Sequence, residues 1–340
     1  MTPEDIRPPA RPLDTARPLD TARPLDTARP LDTARPLGTA GPLDSTGPLD
    51  AAWVERAEAG LLAFHRSDLA HGGGRDRRRL AARLAREVLP GLHRPGPPAV
   101  RLRMHRVAGR LAYLCGFMHF DDGRPEQARR YYATALRLAE LGGSPADRAV
   151  VLRGMSVQAL ALGDGPRALA LARAANGGAA PAERRSFLLG QLAVALARTG
   201  ARHDALRTLT AAERFLDRAT GPADAPVGVF HQAALLRQQA AVRELLGDPA
   251  GAVAALRESL PHRPPEETRS HAVVLADLAV LLERTGRLTE AAAVWHDFLD
   301  LRPGLRSARV DGAFTALRTR LRPHARQPAV RDLLDRAGQT

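Results

Sequence analysis

The stretch Gly116 to Leu136, GFMHFDDGRPEQARRYYATAL, decides how the rest of the chain is read. An apolar run from Leu111 to Phe120 leads into it, Asp121-Asp122-Gly123 breaks it, and Ala128, Tyr132, Ala135 and Leu136 form a new stripe beyond Pro125. Residues three and four apart share one side of a helix, so both arms read as amphipathic helices. Glycine takes the left-handed conformation that ends a helix without a Cβ penalty. An alanine five residues later lets the second helix lie close against the first. The same pair recurs as Gly163/Ala168, Gly200/Ala205, Gly247/Ala252 and Gly286/Ala291, with intervals of 40, 37, 47 and 39 residues between the glycines. Each glycine follows an apolar helix-like stretch, and each alanine opens another. Repetition at such a period predicts helical hairpins stacked into a solenoid.

Composition agrees with this reading. The 340 residues are 44% hydrophobic but only 4% aromatic, and most of the apolar side chains are Ala, Leu and Val. Strands favour β-branched and aromatic residues, so this mixture favours closely packed helices, and no alternating strand pattern occurs. All 50 basic residues are Arg, with no Lys, one Asn (Asn176) and one Ile (Ile6). Such usage reads as a GC-rich bacterial genome, so part of the net charge of +13 reflects codons. The single Cys115 excludes a disulfide framework and a Cys-based zinc module. No run approaches the roughly 20 apolar residues of a membrane span, and no secretory pattern opens the chain, so the expected compartment is the cytoplasm.

Four regions follow. Residues 1–52 are a tandem hexapeptide, Ala-Arg-Pro-Leu-Asp-Thr in four copies and then three decayed ones, with a proline every six residues from Pro12 to Pro48. Proline removes a backbone donor, and one Leu per hexad builds no core, so a disordered, low-complexity tail is expected. Residues 53–100 form an N-terminal helical extension in which Leu61, Leu62, Leu69, Leu80, Leu84 and Val88 are spaced as an apolar stripe. About five hairpins occupy 101–303, including long loops such as Gly221 to Pro226, and capping helices occupy 304–340.

On Gly116, Gly123, Ala128, Tyr132 and Ala135, the quoted stretch resembles the tetratricopeptide repeat; later units keep chiefly the turn glycine and the packing alanine. A narrower resemblance rests on SDLAHGGG, LAYLCGFMHFDDGRPEQARRYYATALRLAE and MSVQALALGDGPRALALARAA. These look like the C-terminal repeat region of actinobacterial transcriptional regulators of the Cro/C1 helix-turn-helix (XRE) type. The resemblance implies a regulatory or signalling scaffold. The family's DNA-binding domain has no counterpart; the proline hexads stand in its place.

In a solenoid of this kind the first helices line a concave surface. The groove positions are then Arg110, Tyr113, Phe117 and Phe120 in the first unit, Arg153, Val157 and Leu160 in the second, Val194 and Ala197 in the third. Arg237, Ala241 and Glu244 follow in the fourth unit, and Val280 and Glu283 in the fifth. Inward arginine forks suit carboxylates, and aromatics supply anchoring area for a peptide. Basic charge concentrates elsewhere: residues 53–110 carry 13 Arg and 5 acids, residues 302–340 carry 9 and 3, and the body between carries 22 and 21. Arg79, Arg83 and Arg86 share a face, and Arg103 and Arg106 continue into a second stripe, which suits phosphate contact with nucleic acid. Catalytic signals are sparse. No phosphate-binding loop, dinucleotide fingerprint or His-Glu-x-x-His occurs. Cys115 and His119 stand four apart, a thiol–imidazole pair that also reads as core, and Asp121-Asp122 reads as serving the turn. The expected function is noncatalytic binding of a protein or peptide, with dimerisation a route for transmitting it and no cofactor or metal. The alternative is a nucleic-acid-binding regulator acting through the Arg-rich ends.

Overall fold

A computed structural model of the chain describes residues 48–219 and 231–339, which are all-α: among them there is no strand. The expected disorder of residues 1–47 and the loop from Gly221 to Pro226 lie outside the described residues.

Five antiparallel hairpins succeed one another: α4 (Pro98–Asp121) with α5 (Pro125–Leu141), α6 (Pro145–Ala161) with α7 (Gly165–Ala175), and α8 (Ala182–Arg198) with α9 (Arg202–Asp217). The fourth pairs α10 (Gln232–Leu245) with α11 (Pro249–Ser259), and the fifth pairs α12 (Thr268–Arg284) with α13 (Leu288–Leu301). Ahead of them stand α1 (Ala51–His71) and α2 (Gly73–Arg83), which continues through a π-helical turn at Leu84–Val88 into α3 (Leu89–Gly91). Beyond them stand α14 (Ala308–Leu321) and α15 (Pro328–Gln339).

The turn chemistry is the same in every hairpin. Gly123, Gly163, Gly200, Gly247 and Gly286 have φ of 70°, 82°, 81°, 80° and 77°. In each, the amide just past the glycine donates back to a carbonyl five residues earlier: Arg124 to His119 at 2.8 Å, Asp164 to Ala159 at 2.9 Å, Ala201 to Leu196 at 3.0 Å, Asp248 to Arg243 and Arg287 to Leu282 at 2.9 Å. This is the Schellman closure, which satisfies carbonyls that the helix end would otherwise orphan. All five partner alanines, Ala128, Ala168, Ala205, Ala252 and Ala291, are completely buried. Any larger side chain there would push the hairpin apart at a cost of about 1–3 kcal/mol. In the first unit, Gly116 receives the ring of Tyr132, whose Cδ1 would stand 2.8 Å from a Cβ at that position.

The described residues include the end of the last hexad. Leu49 is buried with its amide on the Pro95 carbonyl at 2.9 Å, and Asp50 caps α1 by accepting from the Trp53 amide at 2.7 Å. The extension's core differs from the expected stripe: Leu61 is buried but Leu62 is 38% exposed, and Trp53, Val54, Ala57 and Phe64 complete the buried face. Leu80, Leu84 and Val88 are buried as expected. One apolar cluster joins this extension to the first hairpin, and another joins the fifth hairpin to α14 and α15.

The two ends of the repeat array also meet. Arg306 donates its amide to the His71 carbonyl at 2.6 Å, and the Gly74 amide donates to the Arg306 carbonyl at 2.8 Å. Gly72, Gly73 and Gly74 are therefore more than a loop. A Cβ at Gly72 would stand 2.7 Å from the Arg306 carbonyl oxygen, and one at Gly73 would strike the Met118 carbonyl. Helix α1 consequently bridges α4 and α12, the first helices of the first and fifth hairpins.

Candidate functional site

Two arrangements occupy the inner surface, and they differ in how completely their charges are matched. The first is the seam along α1. Arg269 of α12 reaches Asp68 of α1 at 3.2 Å and Asp121 of α4 at 3.8 Å, and it lies 4.9 Å from the ring centre of Phe117. All three ionic side chains are buried. Asp121 also accepts from the Gly73 amide at 3.0 Å. Burial pushes the Asp68 carboxyl up to about 6 against the opposing pull of Arg269, and burial with the nearby Arg269 charge holds His65 down at about 4. Asp122 is engaged by Arg77 and by Arg124. The pair read from sequence as serving a turn therefore anchors the extension to the repeats.

The second is a cavity of about 420 Å³ lined by α4, α6, α8, α10 and the start of α14. Hairpin stacking aims one turn of each first helix inward, which brings Phe120, Arg153, Val157, Leu160, Arg237 and Glu244 to this cavity, together with Val194 and Ala241. Arg110, Tyr113 and Phe117 do not reach it. Arg110 pairs with Asp147 at 2.9 Å, Tyr113 packs its ring against Gly154, and Phe117 lies beneath Arg269. The physical reason is the cover that α1, α6 and α12 place over the earlier turns of α4. Ala197 is buried in the core of its own hairpin.

Four arginines and one glutamate line the cavity. Glu244 is paired with Arg284, and Arg237 donates to Asp277 at 2.8 and 3.1 Å. Arg153 stacks 3.9 Å from the ring centre of Phe187, and its Nε is buried without a hydrogen-bond partner. Burial lowers the basicity of Arg153. Arg309 forms no ion pair with a described residue, although Asp121 and Asp277 act on it from farther off, and its guanidinium lies 5.9 Å from the ring centre of Phe120. Burial first, then the Arg237 charge, pulls it down to about 10, still protonated at neutral pH. Gln238 is 8% exposed, and neither its amide oxygen nor its amide nitrogen has a partner. Arg309 and Gln238 were not among the residues anticipated for the groove. One local signal existed for Arg309: a cation in the first turn of a helix opposes the macrodipole.

The Arg stripes are mostly engaged within the chain. Arg79 pairs with Asp76 at 2.9 Å, Arg103 with Glu58 at 2.5 Å, and Arg106 donates to the Gly142 carbonyl at 2.9 Å. Arg83 lies against Gly60 and 3.7 Å from Glu87, whereas Arg86 is exposed. Arg79 and Arg83 line a second cavity between α1 and α2. The Cys115 Sγ stands 3.6 Å from His119 Nδ1, but that nitrogen is 2.8 Å from the Cys115 carbonyl oxygen, to which it donates. Burial raises the thiol and lowers the imidazole, so both stay neutral. Among the described residues no group of three or more His, Cys, Asp or Glu is placed to hold a metal, and no helix is long and apolar enough to cross a membrane.

The fold defines a tetratricopeptide-like helical-repeat protein, on the hairpin geometry given above. No family model and no curated protein matches the chain. Solved structures similar to it include the APC/C hetero-tetramer Cut9–Hcn1, with 15% identity and a TM-score of 0.43 over 83% of this chain and 49% of that one. Another is a Signal Transduction ATPase with Numerous Domains protein with a tetratricopeptide repeat sensor, from Pyrococcus horikoshii, with 11% identity and a TM-score of 0.49 over 78% and 40% of the two chains. A third is a monomeric mutant of IFIT1 with m7Gppp-AAAA, with 13% identity and a TM-score of 0.44 over 84% and 68%. The chain thus spans about half or less of the first two.

Proposed function

We propose that this protein is a noncatalytic binding scaffold whose peptide or protein ligand enters the cavity between the first helices. The observation that supports this is convergence: groove positions on four separate helices, Phe120, Arg153 with Val157 and Leu160, Val194, and Arg237 with Glu244, line one cavity. The stretches resembling actinobacterial regulators support a role in bacterial regulation, with a second copy of the chain as a route for relaying binding. Neutral Cys115 and His119, the imidazole tied to a backbone carbonyl, favour core packing over thiol chemistry.

The test is capture by the immobilised full chain from a GC-rich actinobacterial lysate treated with nuclease. One stoichiometric partner, lost when Arg153→Glu and Arg237→Glu are combined, is the expected result. Turnover abolished by Cys115→Ala or His119→Ala would contradict a noncatalytic role.

The nucleic-acid reading has less to support it. Of Arg79, Arg83, Arg86, Arg103 and Arg106, all but Arg86 have an ion pair or hydrogen bond with another described residue. Binding to duplex DNA that falls steeply between low and moderate salt, and falls again in an Arg79→Glu, Arg83→Glu, Arg86→Glu variant, would favour it.

A further inference from the structure

We infer that the occupant of the cavity is a compact organic anion, a carboxylate or phosphate carried on an apolar body, held by Arg309 together with Arg153 and Gln238. This rests on the reading of the cavity as the binding site and narrows what it binds.

Size is the first argument. At about 420 Å³ the cavity falls in the range that encloses small ligands. An α-helix with its side chains is about 10–12 Å across, so a helical segment would have to displace the walls. Those walls are tied together: the Arg306 backbone pairs with His71 and Gly74, and Arg269 joins α12 to α1 and α4. The space therefore suits a free small molecule or the last residue or two of a chain.

Charge is the second. Matching pairs the protein supplies for itself account for Arg237 and Glu244. Arg153 has the Phe187 ring and the Tyr113 hydroxyl, and Arg309 faces Phe120 and feels Asp121 and Asp277 without an ion pair to any described residue. Arg309 feels Arg237 and Arg269 as well as Asp121 and Asp277, but Asp277 is paired with Arg237 and Asp121 lies beside Arg269, so the positive charge at Arg309 is the one left for an added anion. A guanidinium fork matches the planar oxygens of a carboxylate or the face of a phosphate.

Polar satisfaction is the third. Buried side-chain amides in folded proteins are nearly always hydrogen-bonded. Gln238 lines the same cavity, but its unpartnered amide is packed away against Gly190, so a rotation of this side chain toward the cavity would let an occupant satisfy it. Leu160, Val194 and Ala241 give the same cavity an apolar lining, on which the ligand's uncharged body would rest.

Titration calorimetry of the full chain at fixed ionic strength tests this with four probes: phenyl phosphate, inorganic phosphate, the tripeptide acetyl-Leu-Leu-Glu, and its uncharged counterpart acetyl-Leu-Leu-Gln amide. Saturable one-to-one binding of phenyl phosphate or of the acidic tripeptide is expected. Affinity should fall at least tenfold in Arg309→Gln, recover in part in Arg309→Lys, and fall in Gln238→Leu. Inorganic phosphate, lacking the apolar body, should bind at least tenfold more weakly than phenyl phosphate. Preference for phenyl phosphate identifies a free anion as the source, and preference for the tripeptide identifies a chain end. Failure of both charged probes, or affinity unchanged in Arg309→Gln, overturns the inference. Ala241→Trp separates this from failure of the broader reading. A captured partner lost in Ala241→Trp but indifferent to Arg309→Gln and to phenyl phosphate keeps the cavity as the site and removes the anion. A partner indifferent to both variants removes the cavity as well. Circular dichroism and melting of each variant confirm that it is folded.

Discussion

The two arginines that matter most on the inner surface, Arg269 and Arg309, sit in opposite circumstances. Arg269 is enclosed by Asp68, Asp121 and the Phe117 ring, and it joins helices more than two hundred residues apart in sequence. Arg309 borders an open cavity, forms no ion pair with a described residue, and lines that space with Gln238, whose amide is equally without a hydrogen-bond partner. A buried cation whose partners come from the same chain serves the fold. A half-buried cation left unmatched serves something that arrives from outside.

Removing each side chain should expose that difference. Arg269→Gln leaves two buried carboxylates without their cation, so chemical denaturation should report a loss of about 3–5 kcal/mol. A loss below 1 kcal/mol would mean that the seam is incidental to stability.

The next effect in size is a pH dependence at the same seam. The folded state holds His65 near 4, below its ordinary 6.5, so its contribution to stability is full above pH 6.5 and is lost as pH falls toward 4. About 2.5 units correspond to about 3 kcal/mol. Asp68 runs the other way. Its folded value of about 6 lies above the ordinary 3.8, so its contribution is full below pH 3.8 and is lost as pH rises through 6. The two contributions nearly cancel between pH 4.5 and 7 in the wild type, so His65→Gln should become more stable at pH 4.5 than at 7, and Asp68→Asn the reverse. An unchanged pH profile in both would show that neither group feels its buried surroundings.

A smaller change is expected at a turn. Gly163 has φ of 82° with open space where a Cβ would be, so Gly163→Ala isolates the conformational cost at about 1–2 kcal/mol. Smallest of all should be Arg309→Gln, within about 0.5 kcal/mol of wild type in the absence of ligand. A large loss there would move Arg309 into the same class as Arg269.

Much of this architecture was legible because it repeats. The left-handed glycines and the buried alanines are local features, and each hairpin restates them, so five copies outweigh the noise of an Ala- and Gly-rich chain. The groove positions on α6 and α10 follow from the same helical period, which is why Arg153, Val157, Leu160, Arg237 and Glu244 come together. Arg110 and Tyr113 departed from the pattern because α6 covers them, and Phe117 because Arg269 of α12 lies over it, and nothing near them in sequence announces the cover. The seam was illegible for the same reason: Asp68, Asp121 and Arg269 lie in three segments whose contact depends on how the ends of the array meet. Gly72 to Gly74 looked like a flexible break, while their small size serves close approach to Arg306 and Met118. The second Arg stripe looked like a surface for a polyanion because its partners lie far off in sequence, Glu58 opposite Arg103 and the Gly142 carbonyl opposite Arg106.

The most direct measurement is thermal unfolding of the full chain and of Arg309→Gln with and without saturating phenyl phosphate at matched ionic strength. A ligand that binds only the folded state raises the midpoint by mass action. The account predicts a clear rise for the wild type and little or none for Arg309→Gln, with equal midpoints when no anion is present. Equal rises in the two proteins, or none in either, would contradict the claim that the unmatched charge in the cavity is there for a ligand.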